Sequence, residues 1–160
     1  MKTKSVISHI ISGGIGFAAG MACQFVKEEK RIDKMEENAG KKEAFYKLLI
    51  AWVEAKQDSK DISDYFIRND IKTIAVYGMR ELGERLVREL EETDVKVKYI
   101  IDKNASGITS ALPVYTPDDD LESVDAVVVT AIYYYEDIVE SLSQKVDCQI
   151  ISLEDVIYGV

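Results

Sequence analysis

The sequence predicts an α/β domain: a doubly wound, Rossmann-like parallel sheet of about five strands with helices on both faces. Three observations predict it. After residue 70, apolar runs alternate with amphipathic stretches of helical period. Runs such as "DAVVVTA" at 125–131 are apolar on both faces, as strands covered from both sides must be. The first run, "IKTIAVYG", ends at a glycine and leads straight into a helix, and right-handed crossovers between such units wind the sheet in both directions.

The elements before that domain follow a different logic. Residues 6–26, "VISHIISGGIGFAAGMACQFV", carry no formal charge and are flanked by lysines and an arginine. That length suits a membrane-spanning helix. A secretory signal or a soluble helix buried in an assembly are the competing readings. Ser12, Gly16 and Gly20 share one line, and Gly14, Ala18 and Ala22 a neighbouring one; in lipid such stripes allow close helix approach. Two basic residues precede the stretch and six follow it through Lys42, which favours a cytoplasmic globular part and a single-pass protein of the cell membrane. His9, the only histidine, has no acidic neighbour in sequence and is expected to be structural.

Residues 28–70 read as a helical stalk and linker, with a break near "NAG" at 38–40. Beyond it Phe45, Leu48, Leu49 and Trp52 fall at i, i+3, i+4 and i+7, one apolar face that must be covered. Docking on the body of the protein covers it most simply; a dimer seam or a partner face is the sharper alternative. "SKDISDYFIRND" reads as a short helix capped by Asp61, with Asn69-Asp70 as the turn into the sheet.

Within residues 71–160 the expected order is a strand to Gly78, a helix over "ELGERLVRELEE" with Leu82, Leu86, Val87 and Leu90 inward, and a strand over "VKVKYIID". A short strand around Pro113 to Tyr115, the buried strand at 125–131, the helix "YEDIVESLSQK", the strand "CQIISL" and a terminal helix "EDVIYG" complete it. The acids of "TPDDDLES" look like a helix start capped by Thr116 or Asp118 rather than a metal site, and the Glu/Arg pairs 81/85, 84/88 and 85/89 like a solvated helix face.

Charge narrows the function. Residues 1–42 hold eight basic against five acidic residues, while residues 43–160 hold twelve against twenty-four, net +3 and −12. An acidic domain without a basic stripe repels a phosphate backbone, so nucleic acid is not expected as a partner. Cys23 and Cys148 are far apart and lack metal-ligand spacing, which fits a reducing compartment and no metal.

The turn "YGMRELG" carries the candidate chemistry. Gly78 and Gly83 match the first and third glycines of the dinucleotide fingerprint, and Arg80 stands at the second. Its side chain either fills the space of a pyrophosphate or swings aside and grips a phosphate from the rim. Glu81, in the first helical turn, already complements the helix dipole that would draw an anion. Asp102 ends the second strand 24 residues after Gly78, where an acid accepts from ribose hydroxyls; heading a turn at "DKNASG" is the equal alternative. Tyr133, Tyr134 and Tyr135 follow the buried strand at the edge where ligands of open α/β sheets lie, with one able to stack on a base and at least two expected to pack the next helix. The candidate cofactor-binding set is Gly78, Met79, Arg80, Glu81, Gly83, Asp102, Thr130, Ala131 and Tyr133, with no catalytic or metal residues.

Together, "IAVYGMRELGERL", "VKYIIDKNASG", "PVYTPDD" and "DAVVVTAIYYYEDI" resemble the small nucleoside-diphosphate-sugar epimerase-like domains of bacterial surface-polysaccharide biosynthesis. They are also similar to the N-terminal nucleotide-binding domains of membrane-bound sugar-nucleotide dehydratases. The likeness covers about residues 71–158. It implies NAD(P) or a nucleotide sugar at Gly78, Gly83 and Asp102, and an accessory role near membrane-bound glycan assembly, with a glycan-assembly protein or a second copy as partner. Tyr99 and Lys103 match the Tyr-x-x-x-Lys spacing of sugar-nucleotide epimerases, but a strand sets them roughly 13 Å apart. The expectation is therefore a membrane-anchored, non-catalytic nucleotide-binding sensor or accessory protein. A ligand-free interaction module is the first alternative, and an NAD-dependent epimerase or oxidoreductase the second.

Overall fold

The computed structural model describes residues 3–160, with side chains from Lys27 onward. The expected membrane span at residues 6–26, with its small-residue stripes and His9, lies outside the described side chains. Among the described residues no helix is long and apolar enough to cross a membrane. The chain divides into two compact units, Met1–Tyr46 and Lys47–Val160.

The first helix, α1 (Thr3–Gln57), contains the whole of the first unit from Thr3 onward. The break expected at Asn38–Gly40 is absent, because the helix runs through it. One glycine costs a helix only about 1 kcal/mol, and Lys41 Nζ reaches back 2.5 Å to Glu37 Oε1 across that position. Ile32 and Met35 are exposed along this unit.

The second unit opens with the last turns of α1, where Leu48, Trp52 and Ala55 are buried. The apolar face expected there is thus covered in part by the body of the protein, leaving Leu49 only half-buried. Helix α2 (Ser63–Arg68) follows, with Asp61 Oδ1 accepting from the Ser63 N–H at 2.8 Å. Asn69 ends it, and Asp70 takes a left-handed conformation (φ 56°) that turns the chain into the sheet. The elements after it are β1 (Thr73–Tyr77), α3 (Glu81–Leu90), β2 (Lys96–Ile101), β3 (Val114–Tyr115), β4 (Ala126–Val129), α4 (Tyr135–Leu142), β5 (Gln149–Ser152) and α5 (Leu153–Tyr158).

All five strands are parallel, in the order β3-β2-β1-β4-β5. The order reverses at β1, so the first crossover leads to one side and the later strands fill the other; this is the doubly wound arrangement. Right-handed crossovers then set α3 and α4 on opposite faces. Alternation divides the buried strand residues accordingly. Ala75, Tyr77, Tyr99, Ile101, Val127 and Val129 join Ile138 and Leu142 of α4 in one cluster, while Ile74, Val76, Ile100 and Val128 are buried on the other face. Each such aliphatic side chain contributes about 1.5–3 kcal/mol when fully buried.

Two stretches differ from expectation. Residues 116–123 form no helix: Asp119 Oδ2 accepts from the Thr116 N–H (2.6 Å) and hydroxyl (2.8 Å), closing a turn in place of a cap. The Tyr99 hydroxyl, donating to the Glu122 carbonyl at 2.6 Å, ties the rest of this loop to β2. On α3 Glu81, Glu84, Arg85 and Arg88 are exposed, the solvated face expected of them, and only Glu89 departs from it. Glu89 instead turns to α1, accepting from Trp52 Nε1 (2.9 Å) and pairing with Lys56 Nζ (2.6 Å).

Candidate functional site

The C-terminal edge of the sheet is organised by the turn from β1 to α3. Gly78 has φ +94°, a conformation that side chains disfavour, and a Cβ there would stand 2.9 Å from Thr130 Oγ1. Gly83, one turn into α3, lies so close to the turn that its Cβ would strike the Gly78 carbonyl oxygen. The first glycine thus makes the turn and the third lets the helix pack on it, the two roles the fingerprint gives them.

Three strands hold this turn in place. From β2, the Gly78 N–H donates to the Ile101 carbonyl at 2.8 Å, and Asp102 Oδ2 accepts from the Met79 N–H at 3.0 Å. From β4, Thr130 Oγ1 lies 2.6 Å from the Gly78 carbonyl and 3.1 Å from that of Tyr77. Thr130 is buried and acts on the turn, positioning it. Ala131 sits beside the same glycine. β3 completes the edge, its Tyr115 carbonyl accepting from the Asp102 N–H at 2.9 Å.

Asp102 heads a turn as well, since its Oδ1 accepts from the Asn104 N–H at 2.8 Å. A carboxylate offers about four acceptor positions, so two remain for hydroxyl donors.

Arg80 takes extended backbone (φ −93°, ψ −161°) as the residue capping α3, and its carbonyl accepts from the Glu84 N–H. Its side chain is exposed, and among the described residues the guanidinium has no hydrogen bond or ion pair. Glu81, also exposed, stands in the first turn of α3.

Of the three tyrosines, Tyr135 packs inward and its hydroxyl donates to the Ile150 carbonyl at 2.8 Å. Tyr133 and Tyr134 remain exposed. Both belong to the single 3-10 turn that residues 132–134 form before α4. The structure thus brings Gly78, Met79, Gly83, Asp102, Thr130 and Ala131 together, with Arg80 and Glu81 at the start of α3 and Tyr133 in the loop after β4.

Tyr77 was not among the expected site residues. It ends β1 immediately before Gly78, is 4% exposed, and among the described residues its hydroxyl has no hydrogen-bond partner. Burial raises its pKa, and the carboxylates of Asp102 and Asp118 add to the rise. The signal in the sequence is a tyrosine closing a strand that is otherwise apolar on both faces, since a buried phenol needs a partner. Among the described residues no cluster of three or more His, Cys, Asp or Glu side chains is arranged to hold a metal ion.

No family model matches the chain, and neither a curated protein nor a solved structure is found that resembles it.

Proposed function

We propose that residues 71–160 bind a nucleotide, a dinucleotide such as NAD(P), or a nucleotide sugar across the β1–α3 turn, without turning it over. The observation that carries this reading is the Arg80 guanidinium at the start of α3, unengaged among the described residues, next to the turn that Gly78 and Gly83 allow to pack closely. A helix N-terminus and an arginine both favour a phosphate. Asp102, with acceptor positions to spare, suits ribose hydroxyls. Among the described residues the groups gathered at the turn orient and bind; no nucleophile is paired with a base there. The resemblance of residues 71–158 to epimerase-like domains supports an accessory or sensing role in bacterial envelope polysaccharide synthesis. The uncharged stretch at 6–26 supports a single-pass anchor with this domain in the cytoplasm.

Calorimetric titration with NAD, NADP, coenzyme A and UDP-sugars tests the binding. Saturable heat from a member of the panel is the expected result, and silence across it rejects the reading. Arg80→Gly should weaken that binding at least tenfold; tighter binding would show that the arginine obstructs the pocket. Carbonate extraction of membranes should leave the full-length protein in the pellet.

A further inference from the structure

A groove of about 600 Å³ runs between the end of α1 and α3, lined among others by Leu49, Trp52, Val53, Arg85 and Arg88. Trp52 is held there by its bond to Glu89. Other groups around the groove are left open. Val53 and Ile50, both apolar, are 52% and 39% exposed. Among the described residues Arg85, Arg88 and the side chain of Glu54 have no hydrogen bond or ion pair.

Helical geometry orders these groups around α1. At about 100° per residue, Leu49, Val53 and Ile50 form an outward stripe, with Trp52 and Lys56 on one flank and Glu54 on the other. Because Trp52 and Lys56 meet Glu89, α3 and its arginines lie on the first flank. The patch therefore has a positive edge, an apolar centre and a negative edge.

We propose that this patch is the interface between two copies of the chain, related by a two-fold axis running along α1 so that the two helices lie parallel. That rotation lays the positive edge of each copy against the negative edge of the other, on both sides of the seam, and sets Val53 opposite the same residue of the second copy. An axis perpendicular to the helices would make them antiparallel and oppose arginine to arginine and Glu54 to Glu54. Like charges thus select the parallel pair. An acidic amphiphile would also suit the arginines and the apolar wall, but it would leave Glu54 unmatched.

Disulfide trapping in the full-length chain tests this. In a Cys23→Ser, Cys148→Ser background, Val53→Cys should form a linked dimer on mild oxidation. Arg88→Glu or Glu54→Arg should each reduce the linked fraction about fivefold or more, and the two together should restore it. Association elsewhere along the chain does not produce the loss and rescue by charge reversal. The proposal is overturned if Val53→Cys does not cross-link, if the single reversals have no effect, or if the double variant is no better than either. It is equally overturned if native mass spectrometry finds a monomer carrying an anionic amphiphile that the Arg88→Glu variant releases.

Discussion

The Met79 N–H donates to Asp102 Oδ2 across 3.0 Å, so the acid that follows β2 holds the glycine turn that follows β1. The same carboxylate receives the Asn104 N–H through its other oxygen. Hydrogen bonds to a charged group contribute about 1.5–3 kcal/mol. Asp102→Ala should therefore lower the unfolding free energy by about 2 kcal/mol in urea denaturation, and Asp102→Asn, which keeps one acceptor, by less. Equal losses for the two variants would show that the carboxylate does not clamp the turn.

Gly83 and Gly40 offer a matched pair on helices. A Cβ at Gly83 would strike the Gly78 carbonyl, whereas nothing lies within 4 Å of the position a Cβ would take at Gly40. Gly83→Ala should destabilise by about 1–3 kcal/mol through overpacking. Gly40→Ala should stabilise α1 by somewhat under about 1 kcal/mol through helix propensity. Thermal unfolding followed by circular dichroism reads both, and the same sign for the two would contradict the packing at the turn.

Thr130 separates shape from hydrogen bonding. Thr130→Val keeps the branched shape and loses the hydroxyl that reaches the Gly78 carbonyl, which should cost about 1–2 kcal/mol; Thr130→Ser keeps the hydroxyl and should cost less. A Val variant as stable as the parent would mean that the turn does not depend on β4.

These positions also mark how far the sequence could be read. The alternation of buried strands and amphipathic helices located every strand of the sheet to within two residues at either end, because strand burial and helical period are local patterns. Gly78 and Gly83 were legible because few residues tolerate a positive φ or a backbone at contact distance. What escaped was decided by contacts remote in sequence. Asp102 reaching Met79, Thr130 reaching Gly78 and Glu89 turning from its own helix to Trp52 all join separate elements. The continuity of α1 through Gly40 was missed for another reason: a glycine weakens a helix without ending it.

Asp125 gives the acid limb of stability. Its carboxylate accepts from the Lys72 N–H (2.9 Å) and from the Thr73 N–H (2.7 Å) and hydroxyl (2.9 Å), joining β4 to β1 at the start of the sheet. The Lys72 backbone bond, followed by the Thr73 hydroxyl and amide, holds its pKa below the usual carboxylate value. A carboxyl group lowered on folding stabilises above its unfolded pKa of about 3.9, and that contribution disappears as pH falls through the folded value. Asp125→Asn should therefore melt at a lower temperature than the parent at pH 7, with the gap closing as the pH drops toward 3. A gap independent of pH would remove the linkage.

Tyr77 sets the ligand proposal against the stability of the empty protein. Its hydroxyl is buried immediately before the glycine turn without a partner among the described residues, and an unsatisfied buried donor costs about 1–3 kcal/mol. Replacing it by an apolar ring of the same shape removes that penalty, so Tyr77→Phe should raise the unfolding free energy of the ligand-free protein by about 1 kcal/mol. A site that uses the phenol must show the reverse in the bound state. The variant should then bind its nucleotide several-fold more weakly in calorimetry while being the more stable apo-protein. Stabilisation with unchanged affinity would make Tyr77 a bystander to binding, and destabilisation would mean that the phenol already has a partner in solution.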